Sequence, residues 1–249
     1  MDRVPAPMDA DMRVFVRWLG SASAGASVLE AHGVLAAVVP AAADRSVFNS
    51  VVYPDAAALE RALPELAAAY SSAGVRAWTV WVPPGDRGAR DLLAGAGHSL
   101  DAEPLAMVAD LDGLYAPEPG DLDWSARASA AEVADVNDVA YGYQGRPFAA
   151  AIEDLSGLTG YVARVDGKPA SVLVTAEEDG SAGVYFVATV PEARGRGMAS
   201  RLLRQALVEA RDRGCATATL QATRMGAPVY ERLGFRSHGP LEMWERRAA

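Results

Sequence analysis

The stretch "PEARGRGMASRLL", residues 191–203, decides how the rest of the chain is read. It gathers Arg194, Arg196 and Arg201 with Gly195 and Gly197, directly before an apolar run. Glycine is a poor helix former, so the segment reads as a loop that becomes a helix. Apolar residues at 199, 202, 203, 206, 207 and 210 give a helix over 198–213 one apolar face, and Gly214 stops it. Upstream, "GYVARVDGKPASVLVTAEEDGSAGVYFVATV" (160–190) holds three strand-like runs, with hairpin turns at Asp166-Gly167 and Asp179-Gly180. A helix, "EVADVNDVAYGY" (132–143), precedes them. Downstream, "ATATLQA" (216–222) reads as a strand, "APVYERL" (227–233) as a short helix and "GPLEMWER" (239–246) as a last strand. The fold class expected is α/β, with a mixed sheet of α+β character.

A similar order of elements runs through the first half. "GVLAAVV" (33–39) and "SVFNSVVY" (46–53) read as strands, and 55–74 as a helix interrupted near Pro64. "VRAWTVWV" (75–82) is a strand, "RDLLAGAG" (90–97) a short helix and "EPLAMVADL" (103–111) a strand. The end of this half, "LLAGAGHSLDAEPLAMV" (92–108), lies over "VYERLGFRSHGPLEMW" (229–244), with Gly97 on Gly234 and Leu105 near Leu241. "GVRAWTVWV" (74–82) likewise lies over "GCATATLQA" (214–222). An internal duplication is expected. The segment 110–124, with two prolines, two glycines and five acids, reads as a linker between domains at 1–119 and 120–249. Where the second copy has "PEARGRGMA", the first has "YPDAAALE", without arginine or glycine.

Composition narrows the function classes. The 249 residues are 51% apolar, enough for a full core, with a formal net charge of −9. Residues 1–119 carry 15 acids and 8 bases, and residues 120–249 carry 17 acids and 15 bases. Such a chain lacks the basic surface that nucleic acid or an acidic membrane would need; it would steer cationic or amine-bearing partners weakly, and a plain soluble acidic surface reads the same way. Cys215 is the one cysteine, so no internal disulfide can form. The start has no apolar signal region, and the longest apolar run (34–43) is too short to span a bilayer. A cytoplasmic protein is expected. His32, His98 and His238 have no ligand spacing, so no metal is expected. Cys215 opens a buried-looking strand and reads as packing.

Several phosphate-binding devices compete at the arginine–glycine loop. The P-loop string GxxxxGK[ST] does not occur. A dinucleotide fingerprint needs a third glycine where Ser200 stands, and an acid near the end of the next strand, where Gln221 stands. What remains is a glycine loop entering a helix, whose unpaired amides and dipole favour an anion. Gly195 and Gly197 let a phosphate approach the main chain, and Arg194, Arg196 and Arg201 add positive charge. A solvated surface loop has the same composition, and the loop alone does not choose between the two.

The string Arg194-Gly195-Arg196-Gly197-Met198-Ala199 resembles the [Q/R]xxGx[G/A] motif of the GNAT superfamily, the acetyl-CoA-dependent N-acetyltransferases. "YFVATVPEA" resembles that family's fourth strand, and "PVYERLGF" (228–235) its late helix. The likeness covers roughly 122–246, and the first half resembles a degenerate copy, as in tandem members. The resemblance therefore implies two GNAT-like acyl-CoA N-acyltransferase folds in tandem. Only the C-terminal one would bind acetyl-CoA and acetylate a primary amine. It implies that main-chain groups of Ala188, Thr189 and Val190 pair with the pantetheine arm, in the splay between strands 184–190 and 216–222. Amides of residues 194–199 would hold the pyrophosphate.

For the chemistry, the amine must be neutral, the developing oxyanion needs a donor and the departing thiolate needs a proton. The resemblance puts a strand amide near Val187–Ala188 in the donor role and Tyr230 in that of general acid. Thr223 stands where the family commonly has Asn, with a different reach to the cofactor. Glu177 and Glu178 are candidates for a base and equally read as solvated hairpin acids. Tyr141, Tyr143 and Phe148 fall where the family builds its acceptor wall. The expected partner is a small-molecule or peptide amine, with the protein a monomer or homodimer. A non-catalytic acyl-CoA sensor or scaffold is the rival from another class, and a longer acyl chain the enzymatic one.

Overall fold

The computed structural model describes residues 5–114 and 120–248, so part of the expected linker, 115–119, lies outside the described residues. The first half runs α1 (Ala6–Leu19), β1 (Ser27–Ala31), β2 (Val34–Val38), β3 (Ser50–Val52), α2 (Ala56–Ser72), β4 (Ala77–Val82), α3 (Arg87–Gly95), β5 (Ser99–Ala102) and β6 (Leu105–Asp110). The second runs β7 (Asp123–Ser125), α4 (Ala130–Tyr141), α5 (Pro147–Ala151), β8 (Leu158–Val165), β9 (Lys168–Glu178) and β10 (Ser181–Thr189). It continues with α6 (Met198–Asp212), β11 (Thr217–Ala222), α7 (Ala227–Glu231), β12 (Arg236–Pro240) and β13 (Glu242–Arg247).

These elements form two mixed sheets, ordered β1-β2-β3-β4-β13-β5 and β12-β6-β11-β10-β9-β8-β7. The two repeat one pattern. Three antiparallel strands (β1–β3, β8–β10) lead through a helix (α2, α6) to a parallel neighbour (β4, β11), and two antiparallel strands complete each sheet. The final strands are traded. β6 lies between β11 and β12 in the second sheet, and β13 lies between β4 and β5 in the first. The run 239–246, read from sequence as one strand, is thus two strands in two sheets, parted at the buried Leu241.

Alternation along β2 shows where the cores sit. Val34, Ala36 and Val38 face a core with α2 and α3, while Leu35 and Ala37 face the core shared with α1 and the second sheet. Helix α1 is held between the sheets, with Met8, Met12, Phe15, Val16 and Leu19 buried at helical spacing. The Phe15 ring stacks on Tyr185 of β10, with centroids 3.7 Å apart.

Two other elements differ from the sequence reading. Helix α2 runs unbroken through Pro64. Pro64 and Glu60, whose carbonyl loses its helical partner, are both exposed to water, while buried Leu59, Leu63, Leu66 and Tyr70 hold the helix to its core. Residues 46–49 are turn rather than strand. The buried Asn49 side chain accepts from Val39 N–H and donates to the Ala42 and Arg45 carbonyls, fixing the chain in a bend.

One buried charge ties α1 to the second sheet. The Asp11 carboxylate accepts from Ser181 Oγ at 2.8 Å and Thr219 Oγ1 at 2.6 Å. Burial outweighs these two bonds and raises its pKa to about 6. A carboxyl with a raised folded-state pKa binds more protons folded than unfolded, so its contribution to stability falls as pH rises from about 4 to about 6. Asp11→Asn stays neutral and escapes that loss. Relative to wild type, it should gain about 3 kcal/mol between pH 4 and pH 7, read from urea melts at both values. A difference between the two proteins that does not change with pH would contradict this.

Candidate active site

The site begins where two parallel strands part. β10 and β11 pair in register only over Ser181–Gly183 and Thr217–Thr219. Beyond that point β10 continues to Thr189 and β11 to Ala222 without pairing, which opens a wedge between them. β10 also carries a bulge. Its register against β9 passes from Tyr185↔Val174 to Ala188↔Val172, leaving Phe186 and Val187 without a β9 partner. Phe186 sits at φ 54°, a left-handed conformation costly for an aromatic residue. The buried Asn137 side chain supports it by donating to the Phe186 carbonyl at 3.3 Å.

Beyond the bulge, Val190 N–H donates to the Ala170 carbonyl of β9. Strand alternation therefore turns the main-chain groups of Thr189 toward the wedge. There the Thr189 carbonyl accepts from Arg194 Nε at 3.1 Å. The other end of the same guanidinium donates to the Ala140 carbonyl near the C-terminus of α4, at 2.6 Å. Arg194 is thus engaged as a clamp between the loop and α4. The exposed Arg196 makes no hydrogen bond or ion pair among the described residues, and Arg201 pairs with Asp121 at 2.6 Å.

The loop ends at α6 with Gly197 as N-cap, and Gly195 and Gly197 have φ of 76° and 69°. No side chain caps this end and no acid sits in its first turn. A Cβ placed on either glycine would meet nothing within 4 Å, so the space before the helix is open. Met198 is buried and anchors the turn, with Ala199 half-buried beside it. An uncapped N-terminus facing open space, next to a wedge whose edge has no strand partner, fits a pyrophosphate joined to an extended amide chain. The matching position in the first half differs. There Asp55 caps α2, accepting from Ala58 N–H at 2.8 Å, so a carboxylate already occupies the place of an anion.

The wedge opens into a cavity of about 680 Å³. Val187, Thr223 and Tyr230 line it, together with Tyr141, Tyr143 and Phe148. The expected cleft residues of the second half are therefore brought together. Burial, and then the neighbouring Tyr141, pushes the Tyr230 phenol up to about 12, so it holds its proton throughout the physiological range. The Thr223 hydroxyl accepts from Gly226 N–H at 3.1 Å and shapes the entry to α7. Glu177 and Glu178 are not at the cavity. Glu177 pairs with Arg213 of the turn after α6, and Glu178 is exposed at the end of β9.

The cavity's carboxylates are instead Asp101 of β5 and Glu245 of β13, both in the first sheet. Burial, then the charge of Glu245, raises the Asp101 pKa. Glu245 was hidden because β13 reads from sequence as a strand of the second half's sheet, and Asp101 because β5 was not read as a strand. Elsewhere, His98 is buried edge-on to Trp78, and burial lowers its pKa to about 4, while Cys215 is buried. Among the described residues, no group of His, Cys, Asp and Glu could hold a metal ion, and no helix is long and apolar enough to cross a membrane.

Comparison with known proteins agrees with this geometry. Residues 156–237, which run from before β8 into β12, match the model of the acetyltransferase (GNAT) domain. No curated protein matches the chain in sequence. A solved GCN5-related N-acetyltransferase from Kribbella flavida is 20% identical, with 96% of each chain covered and a TM-score of 0.67. A GCN5-related N-acetyltransferase from Sphaerobacter thermophilus is 17% identical, covering 98% of this chain and 94% of that one, with a TM-score of 0.58. A tandem GNAT protein from the clavulanic acid biosynthesis pathway is 14% identical, covering 87% and 78%, with a TM-score of 0.53. Residues 156–237 thus resemble an acyltransferase domain of the GNAT type, and the chain as a whole shares the overall fold of these structures.

Proposed function

We propose that this protein is an N-acetyltransferase that moves the acetyl group of acetyl-CoA to a primary amine. The uncapped, glycine-lined start of α6 beside the wedge between β10 and β11 is the observation that carries this reading. Amides of residues 194–199 hold the pyrophosphate, Thr189, whose main chain alone of Ala188, Thr189 and Val190 turns from β9 to the wedge, receives the pantetheine arm, and Thr223 borders it. The chain comprises two GNAT-like folds in tandem, 1–119 and 120–249, with the first a degenerate copy. The repeated sheet order, the Asp55 cap and the likeness to a tandem GNAT protein support this.

When bound, acetyl-CoA supplies an acetyl carbonyl activated as a thioester. Of the strand amides near Val187–Ala188, that of Val187, left without a β9 partner by the bulge, is the donor for the negative charge that develops on that oxygen. Tyr230 Oη holds a proton for the departing sulfur. The phenol is a weaker acid than a thiol, whose pKa is about 8.5, so it delivers that proton only at close range. The aromatic wall of Tyr141, Tyr143 and Phe148 keeps water from the amine.

Free-thiol release from acetyl-CoA, screened over amine classes, tests the reading. Tyr230→Phe should lower kcat about 100-fold, at the low end for general acid catalysis. Wild-type turnover should show no loss from Tyr230 deprotonation below about pH 10, because the phenol titrates near 12. Undiminished turnover of Tyr230→Phe at every pH would remove Tyr230 from the role. Acetyl-CoA binding without transfer to any amine would favour the sensor.

A further inference from the structure

The charges in the cavity come from one side. Arg45, from the connection after β2, Asp101 of β5, and Glu245 and Arg247 of β13 all belong to the first sheet or its loops. The wall built by the second sheet with its helices and loops is mainly aromatic and apolar, with Gln221 and Thr223 as neutral polar groups, and among the described residues the only titratable side chains it brings there are tyrosines. The charges that could recognise a charged acceptor therefore lie on the first sheet, while the reacting centre lies on the second.

The four charges are not equivalent. Glu245 is 6% exposed and holds Arg247 through two bonds, at 2.6 and 2.9 Å, so this pair is neutralised within the protein. Arg45 has no carboxylate within ion-pair distance among the described residues. Its guanidinium carbon stands 4.0 Å from the centre of the Tyr143 ring, and Tyr143 stacks in turn on Tyr141. An arginine resting on an aromatic face is pre-oriented and keeps its donor edges available. Asp101 likewise has no cation within ion-pair distance among the described residues. The cavity thus offers one unpaired guanidinium and one unpaired carboxylate, with a net charge of zero.

We propose that the acceptor is an amine that also carries a carboxylate, with the free amino acids as its chemical class, and that Arg45 binds that carboxylate. This deepens the acyl-transfer reading and rests on it. The acidic surface of the whole chain attracts cations at long range, but a neutral cavity with separated charges of both signs selects a zwitterion. Asp101 is the complement for the ammonium form as it enters; the amine then gives one proton to bulk water and attacks, and the N–H proton shed by the adduct replaces the one that Tyr230 passes to the departing thiolate.

The test is thiol release from acetyl-CoA with each of the twenty amino acids and with the carboxamide of every one that reacts. Calorimetric titration of the reacting amino acid, in the presence of CoA, gives a second readout. At least one amino acid should exceed its carboxamide in kcat/KM by about 10- to 100-fold, the range of a charge-assisted pair. Arg45→Gln should collapse that ratio toward one and abolish the calorimetric signal, while Arg45→Lys keeps part of both. If simple amines and carboxamides are acetylated as well as amino acids, the inference is overturned and acyl transfer stands. Failure of the wild-type protein to bind acetyl-CoA overturns both. The wild-type ratio decides the matter even where the Arg45 variants fail to fold.

Discussion

Expressed alone, residues 120–249 should not form a folded monomer, whereas co-expression with residues 1–119 should restore one. The reason is the trade of final strands. Without β6, the second sheet loses the strand between β11 and β12, and with it the buried Ala106, Met107 and Ala109. β12 is left with no neighbour, and β13 with no sheet to join. Without α1, Tyr185 and Phe186 lose the aromatic cover of Phe15, and Ser181 and Thr219 lose the acceptor that Asp11 supplies. Each large apolar side chain removed forfeits about 2 kcal/mol, and several are lost. Domains have only about 5–15 kcal/mol of net stability, so the deficit exceeds what the half can spare. Near-ultraviolet circular dichroism and size-exclusion chromatography of the half and of the co-expressed pair measure this. A monomeric second half with a cooperative melt would show that the traded strands are dispensable.

Gly197→Asp should remove acetyl-CoA binding while leaving the protein folded. The substitution gives the second half the kind of residue that closes the first, where Asp55 caps α2. A side chain at Gly197 meets no protein atom within 4 Å, so the internal cost is the φ of 69°, about 1 kcal/mol for aspartate. Toward a pyrophosphate the effect is larger. The carboxylate repels the ligand's charge and competes for the unpaired amides of the first turn. The dissociation constant should rise at least 100-fold, corresponding to about 3 kcal/mol, with the melting temperature of the unliganded protein shifted by only a few degrees. Calorimetry and thermal melts with and without acetyl-CoA read both quantities. Unchanged affinity would place the pyrophosphate elsewhere.

What the sequence made legible was local. The hairpins at Asp166-Gly167 and Asp179-Gly180 follow from residues that accept positive φ, and all four adopt it. The start of α6 was readable because Gly195 and Gly197 are needed where the backbone turns left-handed before a helix. The repeated order of elements was visible in its pattern, since Gly97 and Gly234 both turn with positive φ between a short helix and a strand. Partner choice was not legible. β6 and β13 would fit either sheet by alternation alone, and nothing local records that each joins the other's. The misplacement of β13 hid Glu245 and Arg247 from the site, and it made Glu177 and Glu178 look nearer than they are. Helix α1 was not read from sequence although its apolar residues from Met8 to Leu19 have helical spacing, and its position between the sheets depends on Asp11 meeting residues far along the chain. The bulge at Phe186 has no sequence signal, because an aromatic residue at positive φ runs against its own preference and is held there by surrounding contacts such as Asn137.

The most direct measurement is calorimetric titration of the full-length protein with acetyl-CoA. The expected result is saturable binding at one site per chain, because the first half's equivalent helix start is already capped by Asp55. No binding, or two equal sites per chain, would contradict a single cradle at the start of α6.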